Sequence, residues 1–135
     1  MSQENVETFR SGADAYNRGD VEALLEAVHP EVEWHPLLPV LLGGEVTVYH
    51  GHEGVREIVR ELNEAFGEIQ NELLEVRDLG EQVLAIGRFR GRGRESGANT
   101  ETAIVWLVEF KNGKAVRVRE YLDPKEALQA AGLRE

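Results

Sequence analysis

The acidic residue Glu120 is the side chain of this sequence that is best placed to do chemistry. It lies in the segment KAVRVREY, Lys114–Tyr121, where residues two apart share one face of a predicted strand. Val116 and Val118 mark the core side, so strict alternation puts Glu120 inside with them. Burial of a carboxyl group is costly unless it is paired or protonated, and burial raises its pKa. The pattern predicts a general acid or base; a salt bridge to an arginine of an adjoining strand is an equal alternative.

Aromatic and imidazole side chains are the other candidates for a site. The hydroxyl group of Tyr16, on the apolar stripe of the first predicted helix, is either an oriented donor or the satisfied tip of a core residue. Trp34 and Trp106 fall on inward strand faces and form either an aromatic wall for a ligand or core filling. His35, beside Trp34, is a predicted hydrogen-bond partner of the site. The further predicted lining residues of an apolar pocket are Tyr49, Phe66, Phe89 and Val118.

Other kinds of catalytic site find little support. Four residues have the ligand types of a zinc or iron site, namely His35, His50, His52 and Glu53. The four residues do not have the spacing that is characteristic of a complete set of metal ligands. Gly51 and Gly54 are typical of the start of a helix, so we expect no metal. The chain has no cysteine, which excludes thiolate catalysis and disulfides. Its serines lack the context of a nucleophile elbow, no glycine-rich phosphate loop opens a helix, and we expect no cofactor.

Charge limits the possible partners. The 135 residues include 25 acids and 15 bases, a net charge of -10, so nucleic acid and anionic membranes are poor partners. Four arginines alternate along one predicted strand face, at Arg88, Arg90, Arg92 and Arg94. They form either a solvated face paired with glutamates such as Glu101 and Glu109 or an anion-binding stripe. No apolar segment is long enough for a membrane span and no signal pattern is visible, so we expect a cytoplasmic protein.

The hydrophobic period places these residues on elements of a single α+β domain, residues 1–135. Period 3.6 predicts helices over about residues 3–18, 21–28 and 52–66, and Asp123 caps a short last helix. Period 2 predicts strands over about residues 31–35, 69–78, 82–92, 100–111 and 115–122. Residues 36–48 form an apolar loop that must pack against a pocket mouth, a partner subunit or the core of the chain itself. Three N-terminal helices and hairpin-connected strands predict a bent antiparallel sheet that encloses an apolar pocket.

The strand predicted over about residues 100–111 is apolar on both faces. Ile104, Trp106 and Val108 can face the helices, which leaves Ala103, Val105 and Leu107 on the far side. Unless something covers it, that far side is an exposed apolar patch, so we predict a homodimer packed through the sheet.

Four motifs in order resemble a known family. They are AYNRGD at residues 15–20, VHPEVEW at 28–34, YHGHEGV at 49–55 and KNGKAVRVREY at 111–121. Together they resemble a SnoaL-like domain of the nuclear-transport-factor-2-like, or cystatin-like cone, superfamily, related to polyketide cyclases and ketosteroid isomerases. The resemblance implies a strongly bent mixed or antiparallel sheet that forms a cone with the helices, and commonly a dimer.

The resemblance also suggests roles. In the polyketide cyclases a last-strand aspartate is the acid/base, and Glu120 takes its place, with Tyr16 in the place of the helix-one tyrosine. Trp106 stands where those enzymes have a histidine, and Trp34 stands where ketosteroid isomerases have their aspartate base. Two hypotheses follow: a cofactor-independent isomerase- or cyclase-type enzyme for a small hydrophobic molecule, and a non-catalytic module that binds a ligand or a protein.

Overall fold

The helices and strands alternate in blocks along the chain. In the computed structural model, which describes residues 2–37, 44–45 and 47–132, the described helices are α1 (Ser2–Arg18), α2 (Val21–Glu26), α3 (Gly51–Ala65) and α4 (Pro124–Ala130). The described strands are β1 (Val28–His35), β2 (Tyr49–His50), β3 (Phe66–Asp78), β4 (Gln82–Gly93), β5 (Asn99–Lys111) and β6 (Lys114–Tyr121). Most of the apolar loop predicted over residues 36–48 lies outside the described residues.

The six strands form one sheet in the order β2-β1-β6-β5-β4-β3. Neighbouring strands are antiparallel except β1 and β6, which are parallel. The pairing register shifts in the pairs β1–β6, β3–β4 and β5–β6, and such bulges bend a sheet. The predicted α+β class, with helices packed against a curled mixed sheet, is confirmed.

Local sequence explains where several elements begin. The Asp20 side chain accepts a hydrogen bond from the Ala23 backbone nitrogen at 3.0 Å and so caps α2. Asp123 caps α4 in the same way, through the nitrogen of Lys125, with proline at the first helical position. Asn112 and Gly113 both have positive φ, at 53° and 76°, as a tight hairpin turn between β5 and β6 requires.

Two predicted helix ends are wrong, by two residues and by one residue. Val28 and Phe66 carry the apolar helical pattern of the preceding segments, yet each begins a strand. Val28 pairs with Ala115 of β6, and the Phe66 ring packs edge-on against Phe89 at 5.2 Å. An inward apolar residue satisfies both periods, so the pattern alone does not separate a last helical turn from a first strand residue.

The sheet buries residues on both faces. Ile104, Trp106 and Val108 of β5 lie in the main core between sheet and helices, as predicted. On the other face Val105 and Leu107 are buried with Leu84 against Ala127 and Leu128 of α4. The last helix therefore covers the far side within the chain, which removes the apolar patch on which the homodimer was argued. Among the described residues, no helix is long and apolar enough to cross a membrane.

Candidate functional site

A cavity lies between the helices and the concave face of the sheet. Its volume is about 100 Å³, counted as the space that the centre of a water-sized sphere can occupy. Its walls come from the three N-terminal helices and from β1, β3, β4, β5 and β6. At about 10–15 Å³ for one water, this space suits a molecule of about one ring with small substituents. Apart from two indole groups, the polar side chains among its described lining are Thr8, Tyr16, Asn71 and Glu120.

Glu120 reaches this cavity through the geometry of β6. Val118 is buried in the main core, and Glu120, two residues later, also lines the cavity. The assignment of Val116 to the core side is wrong, because Val116 belongs to neither buried cluster. Glu109 pairs with Arg117 and Phe110 with Ala115, so Val116 is the extra residue of a bulge and Ala115 takes the inner position.

Two N–H groups bind the Glu120 carboxylate, and a second indole interacts with it. The Trp34 indole donates to Oε2 at 3.0 Å, and the Leu37 backbone nitrogen donates to Oε1 at 2.8 Å. The Trp106 side chain also interacts with the carboxylate and favours its charged form. The alternative of a salt bridge to an arginine is wrong for the described residues: Arg117 and Arg119 bind Glu109 instead, at 3.5 and 3.3 Å.

Burial raises the pKa of the Glu120 carboxyl group above its ordinary value, and the hydrogen bonds from Leu37, Trp34 and Trp106 oppose this shift without cancelling it. Glu120 keeps some accessible surface and is one of the residues that line the cavity. Indole and amide N–H groups only donate, so none of the three partners can accept a proton from a protonated Glu120. A proton gained or lost by this carboxyl group therefore exchanges with the contents of the cavity.

Tyr16 carries the second polar group of the cavity. Its hydroxyl oxygen is buried and has no hydrogen-bond partner within the described part of the chain. Burial, and secondly the charge of Glu120, raise the pKa of the phenol well above its ordinary value. The hydroxyl group therefore stays protonated and can donate to an oxygen atom of a bound molecule. Of the two interpretations of Tyr16, that of a satisfied core tip does not fit this geometry.

The aromatic walls are fixed by close packing. Trp34, Trp106, Phe89 and Val118 all line the cavity. The Phe9 ring lies 6.3 Å from that of Trp106, tilted by 56°. A Cβ atom on Gly87 would lie 3.0 Å from Trp106 and 2.3 Å from the Glu72 carbonyl oxygen, so only glycine lets β3 and this indole approach as they do.

Three of the predicted site residues lie elsewhere. His35 is not among the cavity-lining residues, and its Nε2 lies 3.4 Å from Glu33 on the exposed side of β1. The Tyr49 hydroxyl donates to Glu61 at 2.5 Å, an interaction that, with burial, raises the pKa of Tyr49 to about 12. Phe66 packs in the core behind Phe89. The structure does not bring these three side chains to Glu120.

The histidines considered as metal ligands are dispersed. His52 Nε2 lies 2.8 Å from the Val28 carbonyl oxygen, and His50 is exposed at the end of β2. Within residues 2–37, 44–45 and 47–132, no group of three or more His, Cys, Asp or Glu side chains is arranged to hold a metal ion.

The arginine face of β4 is paired with glutamates, as the solvated-face interpretation predicts. Arg88 and Arg90 bind Glu101 at 3.0 and 2.8 Å, and Arg90 also binds Glu72 at 3.1 Å. The predicted pairing with Glu109 is wrong, since that residue serves the arginines of β6.

Sequence reasoning missed three polar features of the site, namely the Leu37 backbone N–H, Asn71 and Thr8. The Leu37 backbone N–H could not be foreseen, because it lies in the predicted loop and binds a residue 83 positions away. The signal for Asn71 is its spacing from Ile69 and Leu73, which puts it on their inward face.

Comparison with known proteins agrees with this architecture. The model of the SnoaL-like domain family matches residues 9–118. A nuclear-transport-factor-2-like protein of unknown function from Burkholderia pseudomallei K96243 is 27% identical, with a TM-score of 0.78 over 93% of this chain and 95% of that chain. Bal32a, from a soil-derived mobile gene cassette, is 25% identical, with a TM-score of 0.78 over 96% of each chain.

A more distant structure shares the fold alone. It is a protein with a ketosteroid isomerase-like fold from Catenulispora acidiphila DSM 44928, in complex with trimethylamine, 12% identical, with a TM-score of 0.75 over 95% of this chain and 94% of that chain. No curated protein sequence matches the chain. The family match covers most of the sequence, so the chain belongs to the SnoaL-like domain family.

Proposed function

We propose that this protein binds a small, mainly apolar carbonyl compound in its cavity and moves a proton on it without a cofactor. The observation that carries the proposal is the carboxyl group of Glu120, which accepts hydrogen bonds from Trp34 and Leu37 and whose pKa is raised by burial, in a cavity whose other walls are mostly apolar. The fold is that of a family related to polyketide cyclases and ketosteroid isomerases, which is consistent with such chemistry but does not specify it.

The proton transfer needs two groups, and both line the cavity. The Glu120 carboxylate removes a proton from the carbon next to the carbonyl group; the electron pair of that C–H bond forms the carbon–carbon double bond of an enolate, and the π pair of the carbonyl group moves to its oxygen. The Tyr16 hydroxyl donates a hydrogen bond to the oxygen as its charge develops. Return of the proton from Glu120 to the same or another carbon completes exchange or isomerisation.

The test follows deuterium uptake by a small cyclic ketone, such as cyclohexanone, in heavy water by NMR. We expect the wild-type protein to accelerate exchange at the α carbon, and Glu120→Gln to lower the rate by at least about 10²-fold, since a positioned base is typically worth 10²–10⁴-fold. Glu101→Gln is the matched control, because Glu101 is an exposed carboxylate of the same sheet. Equal rates for wild type and Glu120→Gln would exclude Glu120 as the base.

One observation favours a non-catalytic alternative. Trp34, Trp106 and Leu37 already satisfy the carboxylate within the chain, so Glu120 could serve to hold the two indoles as walls of a binding cavity. In that case ketones would bind and change tryptophan fluorescence, yet wild-type protein would accelerate no exchange.

A further inference from the structure

The carboxamide of Asn71 is a polar group of the cavity that the proposed proton transfer does not use. Asn71 lies on β3 between Ile69 and Leu73, and these neighbours two residues away pack against the main core. Asn71 pairs with Phe89 across the β3–β4 ladder, and both residues line the cavity. The side-chain oxygen Oδ1 of Asn71 is buried and has no hydrogen-bond partner among the described residues.

The backbone of Asn71 is fixed independently of this side chain. Asn17 of α1 donates from Nδ2 to the Asn71 carbonyl oxygen at 2.9 Å and accepts from the Asn71 nitrogen through Oδ1, also at 2.9 Å. β3 is an edge strand, so these two bonds replace the ladder that a further strand would supply. The carboxamide is therefore presented from a rigid backbone, and an unpaired buried acceptor costs free energy until something donates to it.

Asn71 and Glu120 lie far apart on the same concave surface. β6 and β3 are three strand spacings apart in the sheet, about 14 Å measured along it. The bend of the sheet shortens the direct path across the cavity. Glu120 on β6 and Asn71 on β3 supply hydrogen-bonding groups from different strands of this surface, and Tyr16 supplies one from α1.

We infer that Asn71 selects ligands that carry a hydroxyl group opposite their carbonyl group, so that the natural ligand is a small ring with two oxygen functions. This inference rests on the proposed binding of a carbonyl compound in the cavity. A hydroxyl group fits the position because it can donate to Oδ1. Ala13, Asn71 and Leu73 also border a more open depression on the outside of the chain.

A matched pair of ketones tests the inference. 4-Hydroxycyclohexanone and 4-methylcyclohexanone have the same number of non-hydrogen atoms and differ only in the group that would meet Asn71. Their affinities are measured by titration against tryptophan fluorescence, since both indoles line the cavity. We expect the wild-type protein to bind the hydroxyl compound about tenfold more tightly, the range of one good hydrogen bond to a group otherwise left unpaired.

Asn71→Leu should abolish this preference and leave the affinity for the methyl compound within about twofold, because the bonds to Asn17 use only the Asn71 backbone. Leu74→Met, a change on the exposed face of the same strand, should leave the preference intact. Asn71→Ala provides a second variant if leucine prevents folding. The ratio of the wild-type affinities for the two ketones tests the inference without any variant.

The outcomes separate this inference from the proposed chemistry. A hydroxyl preference that Asn71→Leu removes, without any α-proton exchange, would support the inference and contradict the proposed proton transfer. Exchange of both ketones with equal affinities, or a preference that survives in both Asn71 variants, would overturn the inference alone. Failure of both ketones to bind at millimolar concentration would contradict both.

Discussion

At the scale of single residues, the hydroxyl group of Tyr16 is held where it does not stabilise the chain. Its oxygen is buried and has no hydrogen-bond partner among the residues that the structure describes, although Glu120 is near enough for its charge to raise the phenol pKa. A polar group kept in this state is typical of a site in which the missing partner is a ligand, because folding alone gains nothing from it. The site then combines a carboxyl group satisfied by the protein with a hydroxyl group left for the ligand.

Tyr16→Phe should separate stability from function. We expect the free energy of unfolding to stay unchanged or to rise by up to about 1 kcal/mol, because the change removes an unsatisfied buried hydroxyl group. We expect α-proton exchange to slow by about 10²-fold through loss of the donor to the developing oxyanion. Urea unfolding and NMR exchange measure the two effects. A loss of more than about 1 kcal/mol would mean that the hydroxyl group has a structural partner, contrary to this account.

The buried carboxyl group of Glu120 should make stability depend on pH in a defined direction. Since burial raises its pKa in the folded chain above its value in the unfolded chain, the folded state binds more protons between those two values. The stability that this group contributes is complete below the unfolded pKa and is lost as the pH rises through the folded pKa. The free energy of unfolding of the wild type, minus that of Glu120→Gln, should therefore fall with rising pH. Urea titrations from pH 4 to pH 9 (a range of about five units) measure it, and a difference that rises instead would contradict the shift.

At the scale of elements, the face of the sheet on which a strand residue lies could be predicted from the sequence, because side chains alternate along a strand. This alternation places Glu120 inward because Val118 is inward, and it places Trp34 and Trp106 on the walls. The bulge at Val116 could not be predicted, because a bulge depends on the register with the partner strand and not on the residues themselves.

The partners of Glu120 required tertiary information. The bond from Trp34 crosses 86 positions and depends on the parallel pairing of β1 with β6, which places Trp34 opposite Val118. Local periodicity contains no signal for which strands become neighbours. His35 was selected for its chemistry although alternation already placed it on the face opposite Trp34, and the structure leaves it there, beside Glu33.

The approach of β3 to the aromatic wall should depend on one glycine. Gly87→Ala would place a Cβ atom 2.3 Å from the Glu72 carbonyl oxygen and 3.0 Å from the Trp106 ring, so we expect a loss of about 2–3 kcal/mol and a shifted tryptophan emission spectrum. Gly12→Ala is the matched control. A Cβ atom at this position of α1 meets Ala27 at 3.4 Å, an ordinary contact, and alanine should raise stability by about 0.5–1 kcal/mol. Equal effects of the two changes in chemical denaturation would contradict the packing described for Gly87.

At the scale of the whole molecule, the homodimer stays a prediction, but the reason for it changes. α4 covers Leu84, Val105 and Leu107, so an interface need not hide them. The outer face of β6 still carries Arg117 and Arg119, whose Nε atoms are buried without hydrogen-bond partners among the described residues. A second copy that supplies carbonyl or carboxylate oxygens there would satisfy them.

Sedimentation at micromolar concentration measures this assembly. We expect a species of twice the chain mass of 15.1 kDa, and Arg119→Leu should weaken it because the change removes the more buried of the two guanidinium groups. Exposed Arg94, which bonds to the Asn63 carbonyl oxygen elsewhere on the surface, offers the control Arg94→Leu. A wild-type protein that sediments as a monomer would contradict the prediction.

The ionisation of Glu120 connects all three scales, because the residue, its strand and the cavity together set its pKa. Carbon-13 NMR of the glutamate side-chain carboxyl groups, with Glu120→Gln to assign the signal, observes this ionisation directly as the pH is changed. The account predicts a midpoint above the ordinary value of a glutamate. A midpoint at or below that value would mean that solvent or the donated hydrogen bonds stabilise the charged form at least as much as burial destabilises it, and the proposed proton transfer would lose its strengthened base.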